Sequence, residues 1–392
     1  MLTTKHKAAP WFFILSLLFI ICILTPAFAI TTSELSTGYF TNPTKVALAP
    51  PRVKWTVNLN AQVYAYHPLN LHTFLVATNK GLASIPYDTG VIAWVMQPRA
   101  ATSLITAGAL VDDIWLYQTA NGNAIQRQVV LENRLLKRNH IATRLNWEIS
   151  SPGQLISNTN RSDAETQIHL YQNFSNLLIA VDKSGQLRWT YPANTKVKHT
   201  HRLPNYILFG EQNRWVILDS VSGQRITHST LSGTPVATPY ESNQSVYIME
   251  QDRTNVFLSR WSLEGQLWWR KNIDGHSIVN VGYITATENE LVLAYNTSIN
   301  QSKVMGFHKK TGDILWTHQF LEPISTQPLP LASMVYLGYY GYVRGIESST
   351  GSLLWETDFP GIVHSLNHQS NLEALVVISD QGIVHSIGPI SP

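Results

Sequence analysis

A short phrase, glycine followed four residues later by tryptophan with an aliphatic residue midway, recurs along most of this chain. It occurs five times in the 392 residues, as Gly90–Trp94, Gly185–Trp189, Gly265–Trp269, Gly312–Trp316 and Gly351–Trp355. A sixth copy, Gly223 to Thr227, has lost its tryptophan. The last four glycines are 42, 47 and 39 residues apart. Self-similarity at this period predicts a repeat architecture in which one supersecondary unit stacks on the next.

The residues around each phrase predict antiparallel strands. Short apolar and β-branched runs such as Leu291–Tyr295 and Ala374–Ile378 alternate with polar turns such as Asp380–Gly382. Four such strands in about 40 residues are typical of a β-propeller blade. The glycine suits a turn position with positive φ, and the tryptophan is expected to cover the seam between neighbouring blades. We therefore interpret the repeated glycines and tryptophans as structural.

The number of blades follows from the outer-strand positions. We place these at Trp55, Trp94, Lys137, Trp189, Thr227, Trp269, Trp316 and Trp355. They predict an all-β, eight-bladed propeller, or seven blades if Leu131–Trp147 is an insertion. The strand at Trp55 has no inner strands before it, and the chain after Trp355 has inner strands without an outer one. The N-terminal strand is thus expected to complete the last blade and close the ring, which removes an open sheet edge.

Three of the turns carry a resemblance to a known superfamily. Tyr87–Gly90, Lys310–Gly312 and Ser349–Gly351, each with its tryptophan four residues after the glycine, resemble the PQQ-like β-propeller repeat. One branch of that superfamily contains quinoprotein dehydrogenases. Another contains non-catalytic envelope scaffolds, represented by the BamB family of outer-membrane assembly factors, whose architecture this chain resembles more.

The resemblance to the scaffold branch implies a protein-interaction propeller of the cell envelope, with a role in outer-membrane protein assembly as the finer expectation. It implies no catalytic residue, no metal and no cofactor. Two alternatives remain open: a quinoprotein-type propeller that binds PQQ or another small ligand at its axis, and a carbohydrate-binding propeller. The adjacent cysteines common in quinoproteins are absent, because Cys22 is the single cysteine.

The first 29 residues predict a secretory signal peptide. Lys5 and Lys7 precede the apolar stretch Trp11–Leu24, and Ala27–Ala29 forms a small-residue cleavage site. Ile21 stands where a lipoprotein needs a small residue before its cysteine, so a lipid anchor at Cys22 is not expected. We assign residues 1–29 to the signal, 30–49 to a linker and 50–392 to the propeller, and expect a periplasmic or secreted protein cut after Ala29.

The expected partner is an envelope protein. A formal net charge of +3 gives no reason to expect nucleic acid as a partner. Membrane association is expected only through a partner or an uncleaved signal, and the chain is expected to be a monomer.

Two basic stretches and one aromatic stretch are the candidate interaction surface. His199-Thr-His201 has a spacing that puts both imidazoles on one face of a strand, but the neighbouring cations disfavour a metal, and we interpret the stretch as an exposed basic loop. The second basic stretch lies in the degenerate unit, which has Lys137 in place of the tryptophan. Tyr339–Tyr342 is expected to be a hairpin tip, with two alternatives: its tyrosines are exposed in an interface, where tyrosine is favoured, or they pack within the hairpin. The candidate residues are Lys198, His199, His201, Arg202, Arg134, Arg138, Tyr339 and Tyr340.

Overall fold

The computed structural model describes residues 52–68, 71–96, 105–111, 114–119, 124–132, 141–150, 153–156, 168–173, 175–182, 186–203, 205–274, 278–369 and 373–388. All of these belong to one compact unit, Thr41–Pro392. The signal peptide and the linker (residues 1–49), Gly185, Arg134 and Arg138 lie outside the described residues.

Every regular element in the described part of the chain is a β-strand, so the all-β prediction is confirmed. The first described strand is β1 (Arg52–Asn58). Three four-stranded sheets follow: β2 (Val63–Pro68), β3 (Thr73–Thr78), β4 (Gly81–Pro86) and β5 (Trp94–Met96); β6 (Ile105–Val111), β7 (Ile114–Thr119), β8 (Ala124–Glu132) and β9 (Ile141–Ser150); β10 (Gly153–Ile156), β11 (Ile168–Asn173), β12 (Leu177–Asp182) and β13 (Leu187–Pro192). No helix in this part of the chain is long and apolar enough to cross a membrane.

Three further sheets repeat this order. They contain β14 (Lys198–Arg202), β15 (Tyr206–Glu211), β16 (Arg214–Asp219) and β17 (Arg225–Thr230); β18 (Thr234–Pro235), β19 (Tyr240–Ser242), β20 (Ser245–Asp252), β21 (Asn255–Ser262) and β22 (Leu267–Asp274); β23 (Val279–Ala286), β24 (Glu290–Ser298), β25 (Gln301–His308) and β26 (Ile314–Phe320). The last sheet has seven strands, β27 (Leu329–Leu331), β28 (Met334–Gly338), β29 (Tyr340–Glu347), β30 (Leu353–Gln369), β31 (Ala374–Ser379), β32 (Ile383–Gly388) and β1.

The seven-stranded sheet contains two blades, because β30 serves both. Its first half pairs with β29 and its second half with β31. We number the four-strand units in chain order, so blade 1 begins at β2, blade 7 at β27, and blade 8 consists of the second half of β30, β31, β32 and β1. The predicted closure is confirmed, since β1 pairs antiparallel with β32. The eight-bladed ring itself stays a prediction.

The antiparallel order gives each blade two distinct ends. Hairpins between second and third strands lie at the same end as the connections between blades, which we call the hairpin end. The turns between third and fourth strands lie at the opposite end, which we call the glycine-turn end because they carry the repeated glycines.

The apolar core lies between blades. Six clusters of buried side chains each combine residues of two consecutive units, from blades 3 and 4 round to blades 8 and 1. The cluster between blades 8 and 1, for example, packs Val376 and Val384 against Phe74 and Val76, all with no exposed surface. Burial of apolar surface between sheets is therefore what holds the blades together.

The repeated tryptophan crosses from one blade to the next, as predicted. A Cβ on Gly351 would lie 2.6 Å from the ring of Trp316, and φ of this glycine is +76°. The indole Nε1 of Trp316 also donates to the carbonyl of Ser348, 2.8 Å away, in the same turn. The same contact joins Trp55 to Gly90, Trp189 to Gly223 and Trp269 to Gly312. Each pair combines an apolar stack with one hydrogen bond, so any side chain on the glycine would break both.

A bulge in the outer strand directs the tryptophan side chain towards the next blade. In blade 6, Ile314 pairs with Phe307 and Trp316 pairs with Gly306, so Leu315 between them is left without a partner in the ladder. Such a bulge locally increases the strand twist and redirects a side chain. The same register shift occurs beside Trp189, Thr227, Trp269 and Trp355.

The register corrects one sequence assignment. In blade 2 the shift lies next to Trp147, which pairs with Arg127, in the fourth strand β9. Trp147 therefore occupies the repeated outer-strand position of this sheet, whereas Lys137, to which the sequence assigned that position, lies outside the described residues. The sequence misled because no glycine stands four residues before Trp147, where the chain has Thr143.

A second, polar repeat fixes the connections between blades. A buried side chain near the end of the second strand binds the backbone of the connection that enters or leaves its blade. Asn296 accepts from the Ile324 amide at 2.8 Å and donates to the Ile324 carbonyl at 2.9 Å. Gln172 accepts from the Val197 amide at 2.8 Å, and Glu250 accepts from the Gly233 amide at 3.1 Å. These bonds satisfy backbone groups that leave the ladders at the hairpin end.

Replacement of one docked tryptophan tests its contribution to stability. Trp316→Ala removes a buried indole from the seam between blades 6 and 7, and we expect the free energy of unfolding to fall by about 3–5 kcal/mol. Chemical denaturation measures it. The matched control is Trp268→Ala, because Trp268 is 43% exposed and its ring lies 4.3 Å from the Arg260 guanidinium near the surface. We expect that control to cost about 1 kcal/mol; equal losses would contradict the docking role.

Removal of the closing strand tests closure. A chain that starts at residue 59 lacks β1, leaves the edge of β32 unpaired and uncovers the Gly90 turn. We expect a lower midpoint of denaturation and concentration-dependent association in analytical ultracentrifugation, because an open strand edge pairs with other chains. A chain that starts at residue 50 keeps β1 and is expected to match a chain that starts at residue 30 in both measurements.

Candidate functional site

The predicted basic loop is a strand. Lys198, His199, His201 and Arg202 lie in β14, the innermost strand of blade 4, which pairs with β15. His199 has φ of +53°, and the register shifts between Lys198 and His201. This bulge interrupts the alternation on which the two-imidazole arrangement depended. Apolar residues at every second position would have predicted a strand. The stretch from Lys198 to Arg202 has no apolar residue, so its sequence did not indicate a strand.

The environment of His199 keeps its imidazole neutral. Burial, with a smaller contribution from the adjacent Lys198 ammonium, lowers its pKa to about 4. The ring of His201 instead lies 6.2 Å from the ring of Tyr240 on the next blade. Within the described ranges no three His, Cys, Asp or Glu side chains are close enough to share a metal ion.

Tyr339 is a core residue and not an exposed one. Its side chain has no exposed surface, and its ring packs edge-on against Phe320 at 5.3 Å. The guanidinium of Arg344 lies 4.5 Å from the Tyr339 ring centre and is held by Glu356 and Glu322. Burial raises the pKa of the Tyr339 hydroxyl far above its usual value. Of the two alternatives for this hairpin tip, packing holds for Tyr339 and exposure for Tyr340, because the aromatic run spans a strand end, where neighbouring side chains point to opposite faces.

Tyr340, the next residue, is exposed and belongs to an apolar surface that the sequence did not reveal. Its side chain is 48% exposed, while Ile299 and Leu321 are each 75% exposed. Ile299 lies in the β24–β25 hairpin of blade 6 and Leu321 directly follows β26. All three therefore lie at the hairpin end of blades 6 and 7. We call Ile299, Leu321 and Tyr340 the hairpin-end apolar surface.

Hydrogen bonds connect the chain segments that carry these three residues. The Ser302 hydroxyl donates to the carbonyl of Glu322, 2.7 Å away, which ties the segment after Leu321 to the blade 6 hairpin. The amide of Tyr340 donates to the carbonyl of Pro323 at 3.4 Å. The segment 321–323 thus links the two hairpins. Isolated exposed apolar residues are common, but a group of them fixed on adjacent hairpins is typical of an interaction site.

The aromatic residues at the start of blade 1 engage one another. The hydroxyls of Tyr66 and Tyr87 are 2.5 Å apart, and both rings pack on Phe74. Burial raises the pKa of Tyr66 well above its usual value and that of Tyr87 to about 12. The two hydroxyls therefore hydrogen-bond to each other within blade 1.

The low pKa of His199 predicts an acid-sensitive contribution to stability. An unfolded histidine takes up its proton near pH 6.5, whereas folded His199 does so only near pH 4. Stability is thus complete above pH 6.5 and declines as the pH falls towards 4. From pH 7.5 to 5 we expect this residue to account for about 1–2 kcal/mol of lost stability. Denaturation of His199→Asn, which tolerates the positive φ, should show a correspondingly smaller loss; an unchanged loss would contradict the assignment.

Solved structures with the same fold confirm the propeller. BamB from Moraxella catarrhalis superposes with a TM-score of 0.63 at 16% identity, covering 86% of this chain and 99% of that chain. The computationally designed Ika8 protein gives 0.64 at 15% identity, covering 86% and 99%. Sqt1 from Saccharomyces cerevisiae gives 0.66 at 8% identity, covering 87% and 100%. At these identities the likeness shows the fold alone.

The sequence itself matches one family. No curated protein sequence matches the chain significantly. Residues 175–384 match the family model described as outer membrane protein assembly factor BamB. This region holds five of the six glycine turns, including the degenerate one at Gly223 and the partly described one that ends at Trp189. Since the match covers more than half of the chain, the protein belongs to the BamB family of PQQ-like β-propellers.

Proposed function

We propose that this protein is a non-catalytic interaction scaffold of the cell envelope that presents the hairpin-end apolar surface to a protein partner. The observation that carries the proposal is the exposure of Ile299, Leu321 and Tyr340 at one end of two adjacent blades. Membership of the BamB family supports it.

The physical basis is a rigid support under an exposed contact surface. Beneath Tyr340 lies a buried group in which Arg344 contacts the rings of Phe320 and Tyr339 and binds two glutamates. Side chains held in place before binding lose little conformational entropy when a partner covers them. Tyrosine and large aliphatic residues at such a surface are the usual anchors of a protein interface.

The finer proposal concerns the place and the process. The signal sequence at residues 1–29 supports export to the periplasm, and the family description supports a part in outer-membrane protein assembly. If the protein takes part in outer-membrane protein assembly, its partner is another protein of that process. No catalytic residue, metal or cofactor is proposed.

Charge reversal of the surface tests the scaffold proposal. The triple variant Ile299→Glu, Leu321→Glu, Tyr340→Glu replaces apolar contact area with three carboxylates that an interface would have to desolvate. We expect at least tenfold less partner captured from envelope extracts, measured by quantitative mass spectrometry against the wild-type protein. Because all three side chains are exposed, we expect little change in stability.

Val221→Glu is the matched control. Val221 is 77% exposed but lies in a turn at the glycine-turn end, so capture should be unchanged. The proposal is wrong if both variants capture partners as well as the wild type does. In a strain that lacks the protein, the control variant and not the triple variant should restore the amount of barrel proteins in the outer membrane. A spectral change or dye reduction with added PQQ and Ca²⁺ would contradict the non-catalytic assignment.

A further inference from the structure

Two carboxylates of blade 7 lie at the hairpin end, beside the hairpin-end apolar surface. Glu356 and Asp358 are near the end of the fourth strand of this blade, in the first half of β30. Antiparallel pairing places Glu356 opposite Arg344 and Asp358 opposite Tyr342. Residues directly opposite one another have their side chains on the same face of a sheet. Both carboxylates therefore lie on the face that carries the Arg344 guanidinium.

That face is turned towards blade 6. The Arg344 guanidinium lies 4.6 Å from the ring centre of Phe320 and 2.9 Å from a carboxylate oxygen of Glu322. Phe320 is the last residue of β26 in blade 6, and Glu322 directly follows Leu321 of the apolar surface. The carboxylates of both blades thus lie along the seam that Leu321 borders, and the side chain of Asp358 is exposed there.

The cations near the two hairpin tips do not balance these carboxylates. The Arg344 side chain is 7% exposed, whereas those of Glu322 and Glu356 are 28% and 24% exposed. One buried guanidinium is therefore covered by two carboxylates that reach the surface. In the described segments 295–303, 317–327, 338–344 and 356–362, the remaining cation is Lys303. Its ammonium binds the buried carboxylate of Asp274 at 3.1 Å, so it is already neutralised.

The surface around Leu321 consequently carries an excess of negative charge. The three carboxylates provide three negative charges and Arg344 provides one positive charge, which leaves a net charge of −2. The whole chain has a formal net charge of +3, so this excess is a local property. Charges of one sign around a contact surface select a partner whose charges have the opposite sign.

We propose that the partner protein covers the hairpin-end apolar surface with apolar side chains that are flanked by arginine or lysine. The inference rests on the scaffold function and specifies the chemistry of the partner. A second copy of this chain, seated by the same surface, would bring like charges together. An anionic lipid surface would be repelled in the same way.

The carboxylates contribute to such an interface in different ways. Glu322 and Glu356 are bound to Arg344 at 2.9 and 2.5 Å, so an incoming cation meets carboxylates that are already ordered. Asp358 is exposed, so water and salt weaken its attraction for a cation. Replacement of Asp358 is therefore expected to change the binding of a basic partner and its salt dependence, with little change in stability.

Two peptides of opposite charge test the preference. N-acetyl-Leu-Arg-Phe-Arg-Leu-amide carries two guanidinium groups between apolar residues, and N-acetyl-Leu-Glu-Phe-Glu-Leu-amide carries two carboxylates in their place. NMR of labelled isoleucine and leucine methyl groups should show saturable shifts at Ile299 and Leu321. We expect the basic peptide to bind at least tenfold more tightly at about 50 mM salt, and this ratio to fall to about threefold or less at about 500 mM. Equal binding at low salt, tighter binding of the acidic peptide, or shifts centred elsewhere would overturn the inference.

A charge reversal assigns the preference to this surface. With Asp358→Lys, we expect the basic peptide to bind at least fivefold more weakly and the acidic peptide to bind more tightly. Asp88→Lys is the matched control, because it makes the same change in charge at an exposed position of the glycine-turn end; both affinities should match the wild type. Asp358→Asn, which keeps the size of the side chain, should show a smaller effect in the same direction. Wild-type preference in both Asp358 variants would refute the assignment.

The scaffold function and the chemistry of its partner fail in different measurements. The triple variant Ile299→Gln, Leu321→Gln, Tyr340→Gln removes apolar contact area without a change in charge, and should abolish the peptide shifts and reduce partner capture. If capture falls in this variant while the two peptides bind the wild type equally well, the scaffold function stands and the basic partner is rejected. If the wild type sediments as a dimer and the glutamine variant as a monomer, the occupant is a second copy and the inference is wrong.

Discussion

The contact between an outer-strand indole and the glycine turn of the next blade is the interaction on which the rest of this structure depends. A single four-stranded blade has two apolar faces and no core of its own, and the buried clusters all lie between blades. The indole reaches over such a cluster, covers its outer end and donates one hydrogen bond to the adjoining turn. Each blade is thereby fixed to the next at the position where water would otherwise enter.

This contact restricts the residue type or the backbone conformation at several other positions of the repeat. The glycine must have a positive φ and no side chain, as at Gly90 and Gly351. In blades 6 and 7 the residue opposite the tryptophan is a glycine, and a Cβ on Gly306 would lie 2.2 Å from Trp316. The bulge before the tryptophan supplies the required direction. Where blade 4 has Thr227, the bulge and the positive φ of Gly265 remain, but Ile217 lies opposite Thr227, and the Thr227 hydroxyl lies above Gly265 in place of an indole.

The two ends of the propeller are consequently under different constraints. At the glycine-turn end, four of the fully described turns, those of Gly90, Gly223, Gly312 and Gly351, receive an indole. Asp219 shows how tightly such a turn is organised. Its carboxylate accepts from the amides of Val221 and Ser222, and these hydrogen bonds lower its pKa. At the hairpin end none of the described tryptophans docks on a glycine turn, and Ile299 and Tyr340 are exposed there. These differences make the hairpin end the natural place for partner contacts.

The sequence by itself determined the repeat, the all-β class, the role of the glycines and tryptophans, and the closure by the strand at Trp55. These follow from local periodicity and from turn chemistry, which a single chain segment contains. Only the tertiary structure decided that Trp147 holds the outer-strand position of blade 2, that Tyr339 is buried while Tyr340 is exposed, and that Ile299 and Leu321 join Tyr340. Strand register and the approach of residues from neighbouring blades set these outcomes, and both depend on contacts between segments that are far apart in the chain.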